Sequence, residues 1–255
     1  MCSTCGCSSD AGPVITDLDH RRDHNQNHNH DHAGGHEHPH EPPATRTVVL
    51  EQEVLAKNDL LAARNRGWFA GRGILALNLM SSPGAGKTTL LERTIRDLSG
   101  ELALSVIEGD QETLLDAERI RATGARVVQI NTGSGCHLDA DMLARGLRSL
   151  DPPAQSVVFI ENVGNLVCPA LFDLGEQSKV VVMSVTEGDD KPLKYPHMFA
   201  AADLVVLNKT DLLPYVEFDP ERLTRDARKL NPDVQVLPVS AKTGDGFDTW
   251  LSWLA

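Results

Sequence analysis

The feature that most limits what this chain can fold into is one uninterrupted passage. The apolar run Ile74–Met80 leads straight into Ser81-Ser82-Pro83-Gly84-Ala85-Gly86-Lys87-Thr88-Thr89. The passage fits the phosphate-loop pattern G-x-x-x-x-G-K-[ST], with Ser81 in place of the first glycine. Gly84 and Gly86 let backbone N–H groups approach phosphate oxygens, and the start of the next helix adds its positive dipole end. Lys87 reaches the β and γ phosphates, and the Thr88 hydroxyl can coordinate Mg2+. Ala85 and Thr89 complete this candidate nucleotide-binding set. An ordinary turn would use the glycines but has no need of Gly-Lys-Thr. The passage therefore calls for a buried strand, a phosphate loop and a helix in succession.

The rest of the chain from Ile74 agrees with that demand. Candidate strands are Ile74–Met80, Leu102–Ile107, Arg126–Ile130, Ser156–Ile160, Lys179–Val185, Leu204–Leu207 and Val234–Val239. Candidate helices are Lys87–Leu98, Glu112–Ala122, Leu138–Leu150, Pro220–Leu230 and Phe247–Leu254. Unbroken runs such as Val180-Val181-Val182-Met183 suit strands covered on both faces of a parallel sheet. Strand alternating with helix predicts an α/β fold, a mainly parallel sheet with helices on both faces. Upstream, the pairs Val54-Leu55, Leu61-Ala62 and Trp68-Phe69 recur at helical spacing and predict a helix over 47–69. Residues 1–43 hold too few apolar groups to offset the entropy of ordering the chain. The expected organisation is a disordered Cys/His-rich tail, 1–43, followed by a P-loop domain with an N-terminal helix, 44–255.

The base is chosen further along. Asn208-Lys209-Thr210-Asp211 follows Leu204–Leu207 and resembles the N-K-x-D motif of GTPases. An Asp211 carboxylate only accepts hydrogen bonds, and guanine offers two donors on one edge. Adenine would leave the carboxylate unpaired, at a large cost. By resemblance, Asn208 holds the loop and the base, and the Lys209 stem covers the base face. Ser240-Ala241-Lys242, after Val234–Val239, stands where the third base-side motif of GTPases does. Carboxylates for Mg2+ and switching belong at strand ends. Asp110 follows Leu102–Ile107, and Glu161-Asn162-Val163-Gly164 resembles the D-x-x-G switch with Glu in place of Asp. Lys87, Thr88, Asp110 and Glu161 are the candidate catalytic residues, and Gly164 is a candidate donor to the γ-phosphate. No clear water-positioning glutamine or arginine finger is legible, so slow intrinsic GTP hydrolysis is expected.

Metal-ligating residues form three groups. Cys2, Cys5 and Cys7 place three thiolates where they can wrap one soft or borderline cation. His20, His24, His28, His30, His32, His36, His38 and His40 offer imidazoles on a polar segment, weaker auxiliary ligands for nickel, copper or zinc. Cys136-His137 and Cys168 lie in loops expected near the nucleotide end of the sheet; they supply three ligands, and a complete site needs water, another group or a second chain. The net charge of −12 argues against a nucleic-acid or anionic membrane surface. No apolar run is long enough to span a bilayer, and no secretory signal opens the chain. A cytoplasmic setting is expected, where thiols stay reduced.

Together these features resemble the HypB family, nickel-incorporation GTPases of hydrogenase maturation in the SIMIBI class. The resemblance rests on Cys2-Ser3-Thr4-Cys5-Gly6-Cys7, the His-rich run, Ser81–Thr89 and Thr132-Gly133-Ser134-Gly135-Cys136-His137-Leu138. It rests equally on Glu161-Asn162-Val163-Gly164-Asn165-Leu166-Val167-Cys168-Pro169 and on the stretch from Thr186 to Pro196. It implies GTP/GDP and Mg2+ at the nucleotide site, and Ni2+ or Zn2+ at Cys136, His137 and Cys168 near the interface of a GTP-dependent homodimer. It implies tight nickel binding at Cys2, Cys5 and Cys7, with a HypA-like metallochaperone and the hydrogenase large subunit as partners. It also implies that Asp190 and Lys191 contact the guanine of the facing protomer. A urease-type nickel GTPase and a non-catalytic nickel store remain as alternatives.

Overall fold

The computed structural model describes residues 14–17, 43–110, 114–133 and 135–254. Its centre is a sheet of eight strands: β1 (Val14–Asp17), β2 (Leu75–Ser81), β3 (Leu104–Asp110), β4 (Arg126–Asn131), β5 (Val157–Glu161), β6 (Ser178–Ser184), β7 (Leu204–Asn208) and β8 (Gln235–Pro238). Their order is β1-β4-β3-β5-β2-β6-β7-β8. Strands β2 to β8 are all parallel, and β1 alone runs antiparallel, against β4.

The helices follow from burial on the two faces. One face packs Leu77, Leu79, Val106, Phe159, Val182 and Val206 against α2 (Lys87–Asp97), α3 (Leu115–Arg121) and α9 (Phe247–Leu254). The other packs Ala76, Ile107, Val128, Ile130, Val158 and Ile160 against α1 (Pro43–Arg72) and α4 (Ala140–Leu150). Farther along that face, Val181, Met183, Val205 and Leu207 pack against α7 (Pro196–Ala201) and α8 (Pro220–Leu230). Covering both faces is what the unbroken apolar runs require. Two short helices, α5 (Cys168–Leu171) and α6 (Lys191–Lys194), occupy segments read as loops.

Several boundaries shift for identifiable reasons. The tail expectation does not extend to residues 14–17, where backbone groups of β1 close the otherwise open edge of β4. Helix α1 reaches Arg72, where Gly73 with φ of +63° turns the chain into β2. Helix α4 begins at Ala140 rather than Leu138, because the Asp139 side chain caps it through Met142 N–H at 2.7 Å. Strand β3 begins two residues later than expected and extends to Asp110, which puts Glu108 inside the sheet. Helix α3 starts at Leu115; the expected start at Glu112 lies outside the described residues. No helix among the described residues is long and apolar enough to cross a membrane.

Candidate nucleotide and metal site

The phosphate loop joins β2 to α2 at the carboxyl edge of the parallel strands, the side where open α/β sheets take ligands. The positive φ angles fall at Gly84 (+75°) and Gly86 (+99°). Ser81 is the last residue of β2 and has no such angle, so the missing first glycine costs nothing in backbone shape. Its hydroxyl accepts from Lys87 Nζ at 2.7 Å and donates to the Ser82 carbonyl at 2.6 Å. The loop borders a cleft of about 460 Å³ lined by Gly84, Lys87, Thr88, Asp110, Glu161, Gly164 and Lys209, among others.

The acids gather on the far wall. Thr88 Oγ1 donates to Glu161 Oε1 at 2.9 Å, so hydroxyl and carboxylate already face each other where a Mg2+ ion would sit. Burial raises the Glu161 pKa above the usual carboxylate range, opposed by Lys87 and by the Thr88 hydrogen bond. Glu108 lies directly opposite Glu161 in the ladder between β3 and β5, and is 3% exposed. Burial first, then the charges of Glu161, Asp110 and Asp116, push Glu108 up to about 9. One oxygen of each, Glu108 Oε2 and Glu161 Oε2, has no hydrogen-bond partner. The orphaned Glu161 oxygen, on the carboxyl group that faces the Thr88 hydroxyl, is the chemistry a hard cation satisfies.

The base side is tied to the loop. Asn208 Nδ2 donates to the Ala85 carbonyl at 3.0 Å, and its Oδ1 accepts from Ala241 N–H at 3.1 Å. Lys209, at φ +61°, donates from Nζ to the Gly84 carbonyl at 2.7 Å. Asp211 Oδ1 accepts from the Ser240 hydroxyl at 2.7 Å. Asn208, Asp211, Ser240 and Ala241 thus converge, while the Lys242 side chain is exposed. Lys191 Nζ lies 3.4 Å from Ser82 Oγ at the rim of the same loop, and Asp190 pairs with Lys194 at 2.7 Å.

The candidate metal-ligating side chains of the domain meet. Ligand atoms of Cys136, His137 and Cys168 all lie within 4.8 Å of one another. Cys136 Sγ is 2.8 Å from Cys168 Sγ and 3.6 Å from His137 Nδ1. The His137 ring rests on Phe172 at 3.9 Å between centroids. Burial lowers the His137 pKa against the pull of Asp139, which favours the neutral, ligating imidazole. Two thiols and one imidazole suit nickel or zinc. With metal–sulfur bonds of about 2.3 Å, two thiolates on one ion stand roughly 3.3–3.8 Å apart, so uptake needs the sulfurs to part slightly. A fourth position is left for water, another group or a second chain.

Sequence reasoning missed part of this site. Asp116 and Arg119 line the cleft, with Arg119 held by Glu92 at 2.7 Å, Asp116 at 3.1 Å and Thr89 at 3.2 Å. Their spacing of three on a helix was the available signal. For Glu108 it was the alternation with Asp110 in an otherwise apolar strand. Cys2, Cys5, Cys7, His20, His24, His28, His30, His32, His36, His38 and His40 lie outside the described residues.

Comparison with known proteins agrees with this geometry. The family profile described as "CobW/HypB/UreG, nucleotide-binding domain" matches residues 75–238. Hydrogenase maturation factor HypB of Rhizobium leguminosarum bv. viciae is 59% identical over 209 residues, spanning 82% of this chain and 70% of that protein. The crystal structure of hydrogenase maturation factor HypB from Archaeoglobus fulgidus is similar at a TM-score of 0.73 and 42% identity, covering 78% of this chain and 98% of that one. The crystal structure of HypB from Helicobacter pylori in complex with nickel is similar at 0.72 and 39% identity, covering 78% and 93%.

Proposed function

Because this chain belongs to the HypB family of CobW/HypB/UreG nucleotide-binding proteins, we propose that it is a GTP-hydrolysing nickel chaperone acting in the maturation of nickel-iron hydrogenase. One observation carries the reading. Cys136 and His137, on the loop that leaves β4, meet Cys168, on the segment that leaves β5 after Glu161, beside the strand β3 that ends at Asp110. In that reading Mg2+ and GTP sit against Thr88, Asp110, Glu161 and the phosphate loop, and nickel or zinc is the cargo of the thiol–imidazole group. Cys168 follows the Glu161–Gly164 turn by only a few residues, so movement of the turn by the γ-phosphate changes the distance between ligands on its two sides. Binding coupled in this way must run in both directions.

The incomplete ligand set, with exposed Val167 and Leu171 on either side of Cys168, supports a GTP-dependent homodimer closing over the metal. In this reading Asp190 and Lys191 contact the guanine of the facing protomer. Cys2, Cys5 and Cys7 take nickel tightly, and the histidine run buffers it. Metal arrives from a HypA-like metallochaperone and leaves for the hydrogenase large subunit, in the cytoplasm. The sequence offers no clear water-positioning glutamine or arginine finger, and Arg119 is engaged by Glu92 and Asp116. Turnover without partners is therefore expected below about 1 s⁻¹, the low end of ordinary enzymes.

The test is nickel affinity and oligomer mass measured together, with GDP and then a non-hydrolysable GTP analogue, in the unsubstituted chain and in Cys168→Ala. The analogue should drive dimerisation and change nickel binding in a Cys168-dependent way. Nickel binding that ignores the nucleotide in both proteins would reduce the chain to a GTPase with an independent metal store.

A further inference from the structure

A buried chain of amides joins the nucleotide switch to the metal loop. Asn162 follows Glu161 directly and is 1% exposed. Its Oδ1 accepts from Leu138 N–H at 3.1 Å and from Val163 N–H at 3.0 Å. Its Nδ2 donates to Asn78 Oδ1 at 3.2 Å, and Asn78 lies on β2, three residues before Ser81. Asn78 in turn donates to Glu176 Oε1 at 3.0 Å. Leu138 is the residue after His137. Its side chain leaves no space over Gly109, where an added Cβ would stand 2.7 Å from Leu138 Cγ. The other end of the metal loop is fixed through Thr132 N–H to the Asp110 carbonyl at 2.9 Å. The loop carrying Cys136 and His137 thus hangs from two strand ends, one at Asp110 and one at Asn162. Cys168 leaves the switch turn on its other side. Within that turn, Gly164 is seated against Pro83 of the phosphate loop, with only 3.1–3.2 Å for an added Cβ.

We propose that the Asn162 carboxamide is the positioning residue that transmits nucleotide state to the metal ligands, by carrying Leu138, and with it His137 and Cys136, when the Glu161–Gly164 turn moves. The inference rests on the coupling of GTP and nickel put forward above, and assigns that coupling to one side chain. The physical reason is the number of partners. A buried amide with both its oxygen and its nitrogen engaged cannot shift alone without orphaning a backbone N–H, so its neighbours move with it. The backbone through residues 165–167 carries Cys168; Asn162 is the side chain of the turn that holds the Cys136-His137 loop, through Leu138 N–H.

The experiment uses the full chain with Cys2, Cys5 and Cys7 replaced by serine, so that thiolate-to-nickel charge-transfer absorption reports on Cys136 and Cys168. Ni2+ is titrated with GDP and with a non-hydrolysable GTP analogue in this background, in Asn162→Ala and in Asn65→Ala. Asn65 is buried and donates to the Ala140 and Leu174 carbonyls at 2.9 and 3.0 Å, but does not touch the switch, so it controls for general loosening. The background should show a nickel affinity that differs between the two nucleotides by roughly 5–100-fold, the usual span of coupling. Asn162→Ala should bring that ratio to about one while nucleotide affinity changes less than about threefold; Asn65→Ala should keep the ratio. A ratio retained in Asn162→Ala, or lost equally in Asn65→Ala, overturns the assignment to Asn162. No ratio in the background overturns the coupling itself, a distinct failure. Should Asn162→Ala not fold, amide hydrogen exchange at Leu138 in the unsubstituted chain decides: protection that changes with the nucleotide supports the relay, and identical protection in both states refutes it.

Discussion

Glu108 offers a quantitative test of what burial in the sheet does to an acid beneath the nucleotide cleft. Its carboxyl is inside the sheet opposite Glu161, and its pKa stands at about 9 against an ordinary 4.5. The unfolded chain releases this proton near its ordinary pKa, while the folded chain holds it until about 9. Between those values the folded state binds more protons, so stability falls as pH rises; it is greatest below the unfolded pKa and bottoms out above the folded one. The slope approaches about 1.4 kcal/mol per pH unit. Integrated from pH 5 to pH 7, the loss due to this one group is about 2.5 kcal/mol. Glu108→Gln removes the group at nearly constant shape. The assay is denaturant unfolding of both proteins at pH 5 and pH 7, free of nucleotide and Mg2+, compared as a double difference so that other titrating groups cancel. Glu108→Gln should gain about 2.5 kcal/mol on the parent between those pH values, roughly 5–10 °C in Tm for a chain of this size. Parallel pH profiles for the two proteins would show that Glu108 is ionised in the folded state, and the reasoning from its burial would be refuted.

Three further outcomes follow from the same geometry. Gly86→Ala should lower GTP affinity by about 100-fold in calorimetric titration, because a Cβ at φ +99° would stand 2.6 Å from Asn208 Nδ2, and strain of about 3 kcal/mol falls on the phosphate loop. Asp211→Asn should weaken GTP by roughly 10²–10⁴-fold and strengthen xanthosine triphosphate, since the substituted amide offers a donor where xanthine carries a carbonyl in place of the 2-amino group; an unchanged preference would remove Asp211 from the base site. Asn65→Ala should cost about 2–4 kcal/mol in denaturant unfolding, because two buried carbonyls lose their donor, with GTP affinity unchanged.

The sequence by itself determined the layer architecture and the place of the phosphate loop within it. Continuous apolar runs have one stable use, as strands covered on both sides, and Gly84–Thr88 has one use after such a strand. Asn208 and Asp211 were legible as a candidate base site because the hydrogen-bonding edge of guanine calls for a carboxylate. Local rules of this kind act over a few residues and need no partner. What only the tertiary structure decided was which distant residues meet. Cys136 and Cys168 are separated by 32 positions, and no spacing rule says that their sulfurs face each other; the adjacency of β3, β4 and β5 brings their loops together. Glu108 fell outside the expected strand Leu102–Ile107, and holds its proton because the sheet buries it, with Glu161 opposite on β5 adding to the effect. Asn58 and Asn65 share one face of α1, but their purpose, pinning the start of α4 and the Asp173–Leu174 turn, depends on where those segments pack. Asn78, on β2, and Asn162, directly after β5, come together only through the register of β2 with β5. A buried polar group is read by its partners, and partners are a property of the fold rather than of the chain.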